Sequence, residues 1–207
     1  MASLENVKKV IKKICSIGNL GQHVCFFGGA VPYIFYNEES NREHSDIDVL
    51  VDEKYMDYIR KLAKQNNIYI PKLDSLNLNL DDDYGFKVFI DGVYVEFEPM
   101  SIDNGTLIRK DFSPNKKQAG IEKIPFQHIN DLIIELNIDD VKTYAQSNEL
   151  IKISKEKYRR DKDLVDIKFI DSHGIDTEKY NRVKKSVEFS IVSISSYDEL
   201  EGKYTKR

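Results

Sequence analysis

The glycine pair Gly28-Gly29, followed sixteen residues later by Ser45-Asp46-Ile47-Asp48-Val49-Leu50-Val51, is the stretch whose residue types and spacing can do chemistry. In an extended strand side chains alternate between faces, so Asp46 and Asp48 point one way while Ile47 and Val49 point into the core. With Cα atoms about 6.6 Å apart, the two carboxylates can share a pair of divalent ions separated by about 3.5–4 Å. Two uncompensated acids in so apolar a run would repel one another, so a cation accounts for them better than an exposed edge does. Gly28 and Gly29 lack a Cβ, which lets their amides approach phosphate oxygens, and a helix starting near Ala30 aims its N-terminal dipole at the same point. Arg42, His44 and Ser45, just before the acids, can reach β- and γ-phosphates; for each alone a plain loop role fits equally well.

The elements needed to hold these groups can be read from periodicity. Leu4 to Ile17 has helical apolar spacing, Val24 to Phe27 is a short buried strand, and Ala30 to Tyr36 is helical with Pro32 in the first turn. Asp46 to Asp52 forms a second strand, Tyr55 to Gln65 an amphipathic helix, and Ile68 to Ile70 a third strand. Asp74 to Asp83 reads as a polar loop. Phe86 to Ile90 and Val93 to Glu98 alternate about Asp91-Gly92, a strong hairpin signal. On the second of these strands Tyr94, Glu96 and Glu98 share a face, so either glutamate can supply a third carboxylate beside Asp46 and Asp48; alternation does not choose between them. Thr106 to Arg109 is a candidate edge strand, and the polar run Lys110 to Pro125 a connection between domains or an acceptor-facing loop. Helical patterns follow at Gln127 to Leu136, Asp139 to Ala145, Ser154 to Ile170 and Thr177 to Val187. Phe189 to Val192 is β-prone, with no role assignable to residues 186–207. These readings divide the chain into an α/β half, residues 1–125, and a mainly helical half, 126–207.

The run Phe27-Gly28-Gly29-Ala30 through Arg42-Glu43-His44-Ser45-Asp46-Ile47-Asp48 resembles the signature of the polymerase-β-like nucleotidyltransferases. It is especially similar to their small antibiotic-modifying branch, the lincosamide and aminoglycoside type. The resemblance implies an α+β fold, a mixed sheet flanked by helices and followed by a C-terminal helical region. It places the third acid on Glu96, where the family often has aspartate. It covers residues 20 to 110 well and the remainder loosely: Ile124-Pro125-Phe126 and Arg160-Asp161-Lys162-Asp163-Leu164-Val165-Asp166-Ile167 resemble C-terminal features, and on this basis Lys162 and Asp163 support the nucleotide or the catalytic face. Read as residues alone, Arg159 with Asp163 and Lys162 with Asp166 are i,i+4 pairs that decorate a helix.

Bulk properties fit such a protein. The 207 residues suffice for a real core, and 41% hydrophobic with 32% charged residues is ordinary for a globular chain. A net charge of −4 provides no cationic excess for non-specific nucleic-acid binding. Cys15 and Cys25 lack metal-ligand spacing and read as reduced core residues. The first residues do not form a signal peptide, and no apolar run reaches the roughly 18 residues that span a bilayer, so a cytoplasmic protein without membrane partners is expected.

The expectation is therefore an enzyme using Mg²⁺, two ions with Mn²⁺ as the alternative. It would transfer a nucleoside monophosphate from a nucleoside triphosphate such as ATP to a hydroxyl of a small acceptor, in the family an antibiotic, releasing pyrophosphate. Asp46, Asp48 and Glu96 are the catalytic and metal residues; Gly28, Gly29, Arg42, His44, Ser45, Lys162 and Asp163 are the nucleotide-binding ones. Toxin-type modification of tRNA or protein, and a non-catalytic nucleotide sensor, are the alternatives. A sugar-nucleotide glycosyltransferase ranks low, because too little chain precedes Asp-Ile-Asp for its nucleotide-binding half.

Overall fold

The apolar spacing of the first helix, α1 (Leu4–Ser16), places Val7, Val10, Ile11 and Ile14 on one buried stripe, and the Ser3 hydroxyl caps its N-terminus. That stripe packs on one face of a central sheet, against Val24, Phe26, Val49 and Val51. Burying each such side chain is worth roughly 1.5–3 kcal/mol. The structure is a computed structural model and describes residues 3–40, 42, 44, 46–78, 83–113 and 118–193.

Among the described residues ten strands form the sheet: β1 (Val24–Phe27), β2 (Asp46–Asp52), β3 (Tyr69–Asp74), β4 (Phe86–Ile90), β5 (Val93–Asp103), β6 (Thr106–Ser113), β7 (Gln118–Pro125), β8 (Ile133–Ile138), β9 (Val141–Gln146) and β10 (Glu188–Ser193). Their main path runs β10-β7-β6-β5-β2-β1-β9-β8, with β4 and then β3 branching from β5. Parallel β2–β5 and β1–β9 pairs sit among antiparallel ones, which makes the sheet mixed. Helices α2 (Val31–Tyr36) and α3 (Met56–Gln65) join α1, while α4 (Asn148–Tyr158), α5 (Asp161–His173) and α6 (Thr177–Ser186) form the C-terminal helical region. A second apolar cluster, Leu107, Ile124, Leu132, Leu150, Ile153 and Val183, joins that region to the sheet. Among the described residues no helix is long and apolar enough to cross a membrane.

The structure corrects the secondary-structure reading in several places. Thr106 to Arg109 is no edge strand: it opens β6, which lies between β5 and β7 and takes in much of the expected connection. The polar composition of Lys110 to Pro125 hid a hairpin whose inward pair, Leu107 with Ile124, is fully buried. The helices expected at Gln127 to Leu136 and Asp139 to Ala145 are instead a 3₁₀ turn, Ile129–Asp131, and the hairpin β8–β9. An i,i+4 apolar spacing such as Leu132 to Leu136 also satisfies a two-residue period, and the tight turn at Asp139-Asp140 lacks the glycine that marked Asp91-Gly92. Asp139 nonetheless takes φ +52°. The helix read at Ser154 to Ile170 is two helices, broken where Arg159 adopts φ +50°. Three strands beyond residue 125, β8, β9 and β10, thus join the same sheet as the strands before it. Residues 79–82 of the Asp74 to Asp83 segment lie outside the described residues; Asp74 ends β3 and Ser75–Leu78 form a short 3₁₀ turn.

Candidate active site

Strand register builds the site. Asp48 pairs with Glu96 across the parallel β2–β5 contact, with Phe27 across β1–β2, and Glu96 pairs with Lys87 across β4–β5. Lys87, Glu96, Asp48 and Phe27 therefore form one row on the sheet face opposite the α1 core, and Asp46 stands two residues away on that face. One ligand oxygen from each of Asp46, Asp48 and Glu96 lies within 4.8 Å of the others. Burial and the charges of Asp46 and Glu96 push the Asp48 carboxyl up to about 7. Lys87 makes a short ion pair to Glu96. Glu98 lines the same cavity two residues further along and is buried, but is not one of the three converging acids. An all-carboxylate set whose members repel one another is suited to a hard divalent ion such as Mg²⁺ or Mn²⁺, and its residues fit that group.

Each glycine is required by what stands against it. Gly28 has φ +80°, and a Cβ there would collide with the Asp48 carboxylate. At Gly29 a Cβ would strike the Arg42 guanidinium and come within 2.8 Å of Asp166 Oδ2. Arg42 donates from Nε to Asp166 Oδ1 (2.7 Å) and from Nη2 to Oδ2 (2.8 Å), a two-point ion pair. Lys155 Nζ joins it at 2.8 Å from Asp166 and 3.1 Å from Asp163. The Tyr33 hydroxyl also donates to Asp166; burial, and then that carboxylate's charge, push its pKa up to about 12. Both aspartates are fully buried.

Gly28, Gly29, Arg42, His44, Asp46, Asp48, Glu96 and Lys162 all line one cavity of about 230 Å³, together with Lys155, Arg160, Arg109 and Glu98. The acids come from β2 and β5, whereas Arg42 precedes β2, Lys155 stands on α4, and Arg160 and Lys162 stand at the start of α5. His44 meets Ser40 Oγ at 2.9 Å and the edge of the Tyr33 ring, and burial, with Arg42 nearby, lowers its pKa to about 4. It is thus neutral near pH 7 and adds no charge to the cavity. Ser45 lies outside the described residues.

Asp163 is placed differently from the sequence expectation. It does not line the cavity: its carboxylate accepts from the Arg160 amide (3.0 Å) and guanidinium (2.7 Å) and pairs with Lys155, capping α5. Against the opposing effect of burial, Arg160 and Lys155 bring its pKa down to about 2. The expected i,i+4 pairs are likewise replaced, since Asp163 takes Arg160 and Lys155, and Asp166 takes Arg42 and Lys155.

Lys87, Arg109, Gln146, Lys155 and Asp166 were not singled out from the sequence. No local signal joins Lys155 to Asp166, because the contact crosses the α4–α5 break. The buried Arg109–Glu122 pair is a cross-strand partner in β6–β7 and was legible only to a reader who saw that hairpin. Arg109 also donates to Ser154 Oγ (3.1 Å) and lies over the Phe27 ring, tying β6 to α4 and β1.

No family model and no curated protein matches this chain. Solved structures do. The solution structure of the antibiotic-resistance factor ANT(2'')-Ia aligns over 89% of this chain and 91% of its own, with TM-score 0.55 and 14% identity. The lincomycin-bound lincosamide antibiotic adenylyltransferase LnuA aligns over 81% and 97%, with TM-score 0.55 and 18% identity. A crystal structure of ANT(2'')-Ia with adenylyl-2''-tobramycin aligns over 86% and 95%, with TM-score 0.53 and 14% identity. The chain has the nucleotidyltransferase fold: a mixed sheet flanked by helices, followed by a C-terminal helical region.

Proposed function

We propose that this protein is a divalent-metal-dependent nucleotidyltransferase that moves a nucleoside monophosphate from a nucleoside triphosphate to a hydroxyl of a small acceptor. The observation that carries the reading is the convergence of Asp46, Asp48 and Glu96 across a 230 Å³ cavity from Arg42, Lys155 and Lys162, with the Gly28-Gly29 turn between them. Asp46, Asp48 and Glu96 would hold Mg²⁺ or Mn²⁺; the ions, when bound, neutralise phosphate charge and acidify the attacking hydroxyl. The Gly28 and Gly29 backbone, with Arg42, Lys162 and the neutral His44, borders the triphosphate. Residues 1–125 supply the acids and the glycine turn, and residues 126–207 supply Lys155 and Lys162.

In the reaction the acceptor oxygen bonds to the α-phosphorus while the bond from that phosphorus to the bridging oxygen of the β-phosphate breaks. Pyrophosphate departs with the bonding electron pair, and the acceptor proton passes to the Glu96 carboxylate. Positioning and charge stabilisation account for most of the acceleration. A small acceptor such as an antibiotic is favoured over RNA because this chain carries no cationic excess and its fold is shared with enzymes that bind lincomycin and a tobramycin adduct.

Thermal unfolding tests the binding half of this reading. Mg²⁺ and a nucleoside triphosphate at about 100 times the dissociation constant stabilise by about 2.7 kcal/mol, or roughly 5–10 °C at this size. A shift that needs both components supports the reading; no shift with any of the four ribonucleoside triphosphates overturns it.

A further inference from the structure

Gln146 ends β9 and lines the catalytic cavity, yet it is 1% exposed and its side-chain amide nitrogen has no hydrogen-bond partner among the described residues. A buried amide donor left unmade is costly, so native proteins rarely keep one without a use. Its position identifies the use. Ala145 pairs with Phe26 across the parallel β9–β1 contact, which sets Gln146 level with Phe27 and extends the row Lys87, Glu96, Asp48, Phe27 by one strand. Along that row Gln146 stands three strand spacings, about 14 Å, from Glu96, which receives the acceptor's proton.

The α-phosphorus must sit by the three acids, with the acceptor hydroxyl on the Glu96 side. In-line attack sends the pyrophosphate to the side away from the acceptor, so the nucleoside lies off that axis, and Phe27 and Ile151, which line the cavity together with Gln146, are the apolar surface open to its base. A carboxamide offers one donor and one acceptor in a plane, the complement of a nucleobase edge. Resting on the nucleotidyltransferase reading, we infer that Gln146 is a specificity-determining residue that hydrogen-bonds the nucleoside moiety of the triphosphate.

The test measures dissociation constants of ATP, GTP, CTP, UTP and inorganic tripolyphosphate with Mg²⁺ and no acceptor, for the wild type and Gln146→Leu. Leucine has a similar volume and no polar atoms, and the unfolding temperature measured for both proteins separates a loss of stability from a loss of binding. It should bind the preferred nucleotide roughly five- to tenfold more weakly, the loss of a buried neutral hydrogen bond, while tripolyphosphate changes less than twofold. Equal weakening of tripolyphosphate, or nucleotide affinities all within twofold, overturns the inference. So does an effect seen only on acceptor binding, which would assign Gln146 to the acceptor. A wild type that binds no triphosphate overturns the nucleotidyltransferase reading itself, whereas tight wild-type binding insensitive to Gln146→Leu overturns this inference alone.

Discussion

Replacing Asp166 by asparagine should expose how the cavity's cations are held. The Asp166 carboxylate is fully buried and accepts from Arg42 at 2.7 and 2.8 Å, from Lys155 at 2.8 Å and from Tyr33 at 3.2 Å. Asparagine keeps the shape but loses the charge and turns one acceptor into a donor facing another donor. Lys155 then retains Asp163 as counter-charge, while Arg42 loses its two-point ion pair. Removing one partner of a buried ion pair costs about 3–5 kcal/mol; because the Arg42 side chain is 15% exposed at the cavity, the lower end applies, about 3 kcal/mol. For a chain of this length that lowers the unfolding temperature by roughly 6–12 °C. The specific assay is a double-mutant cycle with Arg42→Gln, read by urea unfolding. The two single losses should exceed the double loss by about 2–3 kcal/mol. Additivity within about 0.5 kcal/mol would refute the claim that Asp166 acts through Arg42.

Other consequences follow from the same geometry. Gly28→Ala combines a left-handed backbone with a Cβ driven into Asp48, so it should cost about 1–3 kcal/mol and abolish turnover; calorimetry and a pyrophosphate assay check both. Lys162→Met should raise the KM for triphosphate without moving the unfolding temperature, whereas Asp163→Asn should lower that temperature by several degrees, because only Lys162 borders the cavity. Asp48 sets a pH dependence in metal-free protein. Its folded pKa of about 7 exceeds the unfolded 3.8, so the native state holds a proton that the unfolded chain releases, and this contribution to stability falls as pH rises from 4 to 7. His44, lowered from 6.5 to about 4, acts with the opposite sign between pH 4 and 6.5. The difference between wild type and Asp48→Asn isolates the first effect, and identical pH slopes in the two proteins would rule it out.

The position of the candidate acids was easier to read in the sequence than the strands around them. Asp46 and Asp48 were legible because strand alternation is local, and the β2 limits, Asp46–Asp52, match the expected ones. Gly28-Gly29 was legible as a turn, but only the fold shows that Gly29 makes room for an ion pair between residues 42 and 166. Alternation left Glu96 and Glu98 equivalent; the parallel register of β5 on β2 separates them. Asp163 lies at the α5 cap rather than on the cavity lining, a difference invisible in sequence because a capping carboxylate and a ligand-facing one look alike there. Strand β7 was missed where polar residues masked alternation, and β8 and β9 where an i,i+4 spacing served two periods at once.

The central claim is tested most directly by pyrophosphate release from each of the four ribonucleoside triphosphates with Mg²⁺, with and without pooled hydroxyl-bearing antibiotics, comparing wild type with Asp46→Asn. Release that depends on an acceptor and disappears in a folded Asp46→Asn protein is the predicted result. Equal release by the wild type and the variant, or none from the wild type with any triphosphate and acceptor, would contradict it.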